Sequence, residues 1–212
     1  MWLRSQVSQV DTLHVDIAGG SRQILGGTIP RVAVVAAGAV YQGLSLGSID
    51  LIAENIRVNL PQVMRGQPLR LLEPIAVVAE AKFTEVGLQA SLAAPLLSQA
   101  ITDLLTQILA AHPHQANWTI DWQQIQIARQ ELILQGNLTT GGQTAPIQIA
   151  MGIDICDGHI LDLDPLVISC PLDLPGSNIT SHRIDLGADV QITQLHLTTG
   201  ELICQGQIQV NP

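Results

Sequence analysis

The chain has 212 residues, 47% of them apolar but only 2% aromatic, and a formal net charge of −9. That length suits one domain with a core built from Leu, Ile, Val and Ala. The charge speaks against nucleic acid as a partner, and no uninterrupted run of about 18 apolar residues marks a transmembrane helix.

The charge is unevenly spread: residues 1–83 sum to +1 and residues 84–212 to −10. Either the composition drifts, or the first part faces an anionic neighbour. The opening MWLRSQVSQV lacks the apolar stretch of a signal peptide. Cys156, Cys170 and Cys204 are too few and too scattered for a disulfide framework. Both features point to a cytoplasmic chain, with a membrane-peripheral position open to it.

Alternation of apolar and polar residues dominates the pattern. Leu13, Val15 and Ile17 share one face of a first strand that stops at Gly19-Gly20, and Ser21–Leu25 reads as a helical turn. A second strand runs from Ile29 to Tyr41, with a bend at Gly38. Ile49, Leu51 and Ala53 give a third, and Ile56, Val58 and Leu60 then take the opposite parity, which predicts a β-bulge near Asn55. PQVMRGQPLRL is a turn region, and Ile75, Val77, Ala79, Ala81 and Phe83 form a fourth strand.

Thr84 is placed to cap a short helix over about 85–92, with Glu85 in its first turn. Pro95 cannot donate its amide inside a helix, so a second, long helix starts there and runs to about 111. Its apolar stripe is wide, from Leu96/Leu97 to Ile108/Leu109. Trp118, Ile120 and Trp122 then share a strand face, and a parity change predicts a bulge near Gln123-Gln124. Strands follow around 131–139, 145–155, 159–169, 186–197 and 201–210. IQIARQELILQGNL (125–138) recurs as LHLTTGELICQGQI (195–208) at a constant offset of 70, which predicts two equivalent hairpins in one large antiparallel sheet.

Catalytic and cofactor motifs are missing: there is no G-x-S-x-G, P-loop, G-x-G-x-x-G after a strand, or H-E-x-x-H. His112 and His114 read as a solvated helix end. DICDGHILDLDP lacks the order of a calcium loop, and alternation places Asp162 and Asp164 on one polar strand face. The chain therefore reads as a non-enzyme without cofactor or metal. Arg57, Arg65 and Arg70 flank a Pro/Gly turn, either as a solvated loop or as a phosphate site, since guanidinium groups bind phosphate bidentately.

Residues 19–97 carry a resemblance. Gly19-Gly20-Ser21 with Ile24-Leu25-Gly26-Gly27, Val40-Tyr41-Gln42-Gly43-Leu44, Asn55-Ile56-Arg57, Arg65-Gly66, and Thr84-Glu85 leading to Leu92 and Pro95-Leu96-Leu97 resemble the bacterial LmeA-like phospholipid-binding proteins. Gly87-Leu88 stands where that family's pattern leads one to expect Asp-Leu.

The resemblance implies a tubular lipid-binding architecture. That is an α+β domain spanning 1–212, in which a strongly curved antiparallel sheet wraps the long helix around an apolar groove. The expected groove liners are Leu97, Ile101, Leu104, Leu105 and Ile108. The expected head-group contacts are Arg57, Arg65 and Arg70, and the expected partners are a phospholipid or fatty-acyl ligand and a membrane surface. Trp118 and Trp122 suit either a packed core or a membrane interface. A competing reading keeps the apolar face but gives it a protein partner, as an assembly factor.

Overall fold

The computed structural model describes residues 7–109, 118–172, 174 and 177–212. Among them lie four helices: α1 (Ser21–Leu25), α2 (Leu60–Val63), α3 (Glu85–Ser91) and α4 (Pro95–Leu109). The first strands are β1 (Val7–Gln9), β2 (Thr12–Ala18), β3 (Thr28–Tyr41), β4 (Leu44–Arg57) and β5 (Ile75–Thr84). After the helices come β6 (Trp118–Ala128), β7 (Glu131–Thr140), β8 (Gln143–Gly152), β9 (Asp154–Cys156), β10 (Ile160–Leu163), β11 (Leu166–Ser169) and β12 (His182–Asp185). β13 (Val190–Thr198) and β14 (Glu201–Val210) close the chain.

The strands form three antiparallel sheets rather than one large one. A seven-stranded sheet has the order β1-β3-β4-β5-β14-β13, with β2 also paired to β3. A four-stranded sheet runs β11-β8-β7-β6, and a three-stranded one runs β12-β10-β9. In the last, Arg183 pairs with Asp162 across the strands at 3.4 Å.

The helix boundaries follow the expected chemistry. Thr84 caps α3, its Oγ1 accepting from Gly87 N at 3.1 Å. Pro95 opens α4, and the two helices bend by 91° where they meet. The hydroxyls of Thr102 and Thr106 donate back to the carbonyls of Ser98 and Thr102 at 2.7 and 2.8 Å, which lets polar residues sit on an apolar helix. Thr102 Oγ1 in turn accepts from Trp122 Nε1 at 3.1 Å. Among the described residues no single helix is long and apolar enough to cross a membrane.

α3 is the joint between the two larger sheets. Its Glu85 and Gln89 side chains, one helical turn apart, take up the free edge of β6. Ile127 N donates to Glu85 Oε2 at 2.8 Å, Ile125 N to Gln89 Oε1 at 2.9 Å, and Gln89 Nε2 to the Gln123 carbonyl at 2.8 Å. Two side chains thus stand in for a neighbouring strand and end the four-stranded sheet at that edge. On the other side, the fully buried Ser91 Oγ accepts from Ser45 N at 2.8 Å, and Glu85 N donates to the Gly200 carbonyl at 2.8 Å.

The repeat at offset 70 is real, but its two copies lie in different sheets. The β6–β7 hairpin belongs to the four-stranded sheet and β13–β14 to the seven-stranded one. Each copy has one extra residue, Gln123 or Thr193, and the bulge expected near Gln123 is present. Opposite each bulge stands a glycine, Gly136 or Gly206. A Cβ there would lie 2.6 Å from the Asp121 carbonyl oxygen or 2.5 Å from that of Gln191, so only glycine fits. The turns correspond too, with Gln130 and Gly200 both left-handed. They bond reciprocally, Gly200 N to the Ile127 carbonyl at 2.9 Å and Gln130 N to the Leu197 carbonyl at 3.4 Å. Every pair in this set is separated by 70, so the hairpins meet turn to turn about a local two-fold axis instead of edge to edge.

The bulge expected near Asn55 is absent. β3 and β4 keep one register through it, with Arg31 opposite Glu54 and Ile29 opposite Ile56. The parity change is carried by Asn55 itself, at φ 55°. It stands opposite Pro30, which has no N–H to offer the ladder.

Candidate functional site

Cross-strand partners share a sheet face, so the register of the seven-stranded sheet sorts its side chains. One row across six strands reads Leu13, Ala36, Ile49, Ala81, Cys204, Leu195. The next reads Val15, Val34, Leu51, Ala79, Gly206, Ile192, and the third Ile17, Val32, Ala53, Val77, Ile208, Val190. No position in the three rows carries a charge or a hydrogen-bonding amide, carboxylate or hydroxyl side chain. The opposite face is mixed; one of its rows is His14, Val35, Asp50, Glu80, Gln205, Gln194.

Most of this apolar face stands outside the core. At the end nearest α3, Leu197 belongs to the buried cluster, and Phe83, Leu195 and Leu202 pack against it. Val32, Val34, Ile49, Leu51, Val77, Ile192 and Ile208 do not. On the flanking strands Leu13, Val15, Ile17, Ile208 and Val210 are 37–53% exposed. The central strands of this face are half-buried, with Ala36 buried, and those flanking residues are exposed; a partly open apolar surface of this extent suits an interaction site. It measures roughly 20 Å along the strands from Val77 to Phe83 and roughly 24 Å across six strands. Cys204 lies in the middle of the first row, and burial pushes its thiol up.

The five expected groove liners lie elsewhere. Ile101, Leu104, Leu105 and Ile108 face Leu134, Ile149 and Met151 of the four-stranded sheet around an apolar space of about 160 Å³, too narrow to admit a water. Leu97 and Leu104 are half-buried at the margin of the cluster, whereas Ile101, Leu105 and Ile108 are buried in it. Trp122 is buried in the same core and Trp118 packs against it. His112 and His114 lie outside the described residues.

The three arginines lie at the far end of the large sheet, Arg57 closing β4 and Arg65 and Arg70 on the β4–β5 connection. Chain direction puts the β2–β3 and β4–β5 connections at one end, which holds α1, α2 and the segment 57–73. A bridge between Val58 and Leu71 closes that segment. Within it Asn59 N donates to the Arg70 carbonyl at 3.1 Å, and Arg70 N donates to Asn59 Oδ1 at 2.6 Å. α1 is tied alongside by Val58 N donating to the Gly27 carbonyl at 2.9 Å. All three arginines are exposed; Arg57 makes an ion pair with Glu73 at 3.3 Å.

The sequence places three arginines within and beside one connection, but it did not show the open face. Its signal was present strand by strand, in Leu13/Val15/Ile17, Ile49/Leu51/Ala53 and Ile75 to Phe83. Only the register shows that these half-patterns align on one side. Among the described residues no group of His, Cys, Asp and Glu is disposed to hold a metal ion.

No curated protein and no solved structure matches the chain. One family model, described as LmeA-like phospholipid-binding, matches residues 1–207, taking in the open face, the arginine end and the sealed core alike. The chain is therefore a member of the LmeA-like phospholipid-binding family.

Proposed function

We propose that the protein binds a phospholipid or another acyl lipid without chemical change, and that the acyl tails lie on the open apolar face of the seven-stranded sheet. The observation that carries this reading is the three unbroken apolar rows. One leaflet of a bilayer is about 15 Å deep, half of a roughly 30 Å hydrocarbon core, so an extended tail fits along the strands. Each methylene withdrawn from water contributes about 0.8 kcal/mol. A tail against the face therefore gains several kcal/mol, against which association entropy counts.

In this arrangement the head group lies at the arginine end, where Arg57, Arg65 and Arg70 meet its phosphate as charge-assisted donors. The tail ends point toward the helices. There the half-buried Leu97 and Leu104 meet them, while Ile101, Leu105 and Ile108 seal the core behind. Such a site can carry lipid between surfaces.

The test is native mass spectrometry of the purified protein, before and after incubation with a phospholipid, on the parent and on Leu51→Asp. The parent is expected to show an adduct of one lipid's mass. Leu51→Asp, with a carboxylate in the central row, is expected to lose it while melting at nearly the parent temperature. A parent that takes up no lipid, or a Leu51→Asp protein that takes it up equally, contradicts the reading.

A further inference from the structure

The arginine end carries a second feature that tail binding does not use. Met64 is 72% exposed, Leu69 63%, Leu25 56% and Leu72 52%. These large apolar side chains stand on α1 and on the segment that follows α2, beside Arg22, Arg65 and Arg70, which are exposed as well. The same two connections hold three arginines and a single acid, Glu73, which is already paired with Arg57 at the end of β4. In a chain of net charge −9, the end is locally cationic while the rest is acidic.

Exposed Leu and Met interspersed with Arg, all on short connections, match what an anionic bilayer surface rewards. The apolar side chains enter the headgroup–acyl boundary, and the guanidinium groups meet lipid phosphates. The acidic remainder is repelled by the same surface, so only this end is favoured to approach.

We propose that the α1–α2 end docks the protein on anionic membranes, with Leu25, Met64, Leu69 and Leu72 inserted and Arg22, Arg65 and Arg70 on the phosphates. The choice of a bilayer over a protein partner rests on the lipid-binding reading. The docking itself has a separate readout. Docked in this way, the open face begins at the membrane and runs away from it, so a tail leaving the leaflet meets apolar rows directly.

The experiment is flotation of the intact protein with neutral phosphatidylcholine vesicles and with vesicles containing phosphatidylglycerol, at low and high salt. The parent is expected to float with the anionic vesicles only, and less so at high salt, where screening shortens to about 3 Å at 1 M. Arg65→Gln with Arg70→Gln is expected to weaken binding roughly 25-fold, since each basic residue near such a surface is worth about a factor of five. Met64→Ser with Leu69→Ser is expected to weaken it by several-fold at low and high salt alike, because the apolar contribution is not screened. These side chains are exposed, so the variants should keep the parent's melting temperature.

The proposal is overturned by any of three results: a parent that ignores anionic vesicles, one that binds neutral and anionic vesicles alike, or tip variants that float as the parent does. It is also overturned if sedimentation shows copies associating through this end while flotation is unaffected by the substitutions. Leu51→Asp is expected to float normally yet carry no lipid, and Met64→Ser with Leu69→Ser, which touches neither the apolar rows nor the arginines, to accept detergent-delivered lipid normally. A failure of docking and a failure of tail binding are thereby told apart.

Discussion

The four-stranded and seven-stranded sheets use the same aliphatic residues to different ends. In the first, Ile125, Ile127, Leu134, Leu138, Ile147, Ile149 and Met151 are each 3% exposed or less, sealed under α3 and α4. In the second, three equally apolar rows continue outward from that core with most of their members outside it. The hairpins are alike, down to a bulge, an opposing glycine and a left-handed turn residue repeated at an offset of 70. The two sheets differ in what covers them. Burial that stabilises the fold in one place is left unspent in the other, where a ligand can complete it.

The sharpest way to break this comparison is to remove the same group from both sheets. Leu134→Ala should cost about 2–5 kcal/mol, the transfer and cavity terms of a sealed site. Leu51→Ala should cost well under half as much, because water can fill the space left. Urea denaturation of both variants measures the difference, and equal losses would mean that the open face is ordinary core. Leu104→Ala, at the half-buried margin of α4, should fall between the two.

The paired glycines sharpen the comparison further. Gly136→Ala forces a methyl onto a carbonyl in the sealed sheet, with an expected loss of about 1–3 kcal/mol, as for an overpacked core. Gly206→Ala meets the same clash where one face is free to yield, so its loss should be smaller. Thermal unfolding reads the order, and a reversed order would show that the open sheet is the more rigid.

At the joint, Glu85→Ala leaves the buried Ile127 amide without its acceptor and should destabilise by about 1.5–3 kcal/mol, the range for a hydrogen bond to a charged group. Glu85→Gln keeps an acceptor and should lose less. The smallest effect belongs to the arginine end. Arg57→Ala removes an exposed ion pair and should change stability by no more than about 1 kcal/mol, while lowering affinity for anionic lipid.

Much of this was legible in the sequence because it rests on local rules. Thr84 as a cap, Pro95 as a helix start, and the alternation of Ile75 to Phe83 specify their elements without help from distant residues. The repeat was legible as a repeat, but its placement was not. Whether two hairpins share a sheet depends on Glu85 and Gln89 reaching the β6 edge, a contact made more than 30 residues away in the chain. The wide stripe of α4 read as a groove for a related reason. A helix that lines a ligand site and one that seals a core show the same leucines, and only Leu134, Ile149 and Met151 opposite it decide between them. Asn55 illustrates the same limit: a parity change reads as an inserted residue until Pro30 is seen across the ladder.

The central claim, that lipid occupies the open face, is tested most directly at Cys204, a thiol already placed in its first row. With Cys156 and Cys170 changed to serine, the rate at which a maleimide reagent labels Cys204 can be followed with and without bound phospholipid. Burial pushes this thiol up, and the thiolate is the reactive form. Labelling of the lipid-free protein should thus be slow near neutral pH and should accelerate at a higher pH than for an exposed cysteine. Lipid should slow it several-fold at every pH and raise the onset further, since a tail over the sulfur removes both water and reagent. A rate that is the same with and without bound lipid would contradict the account.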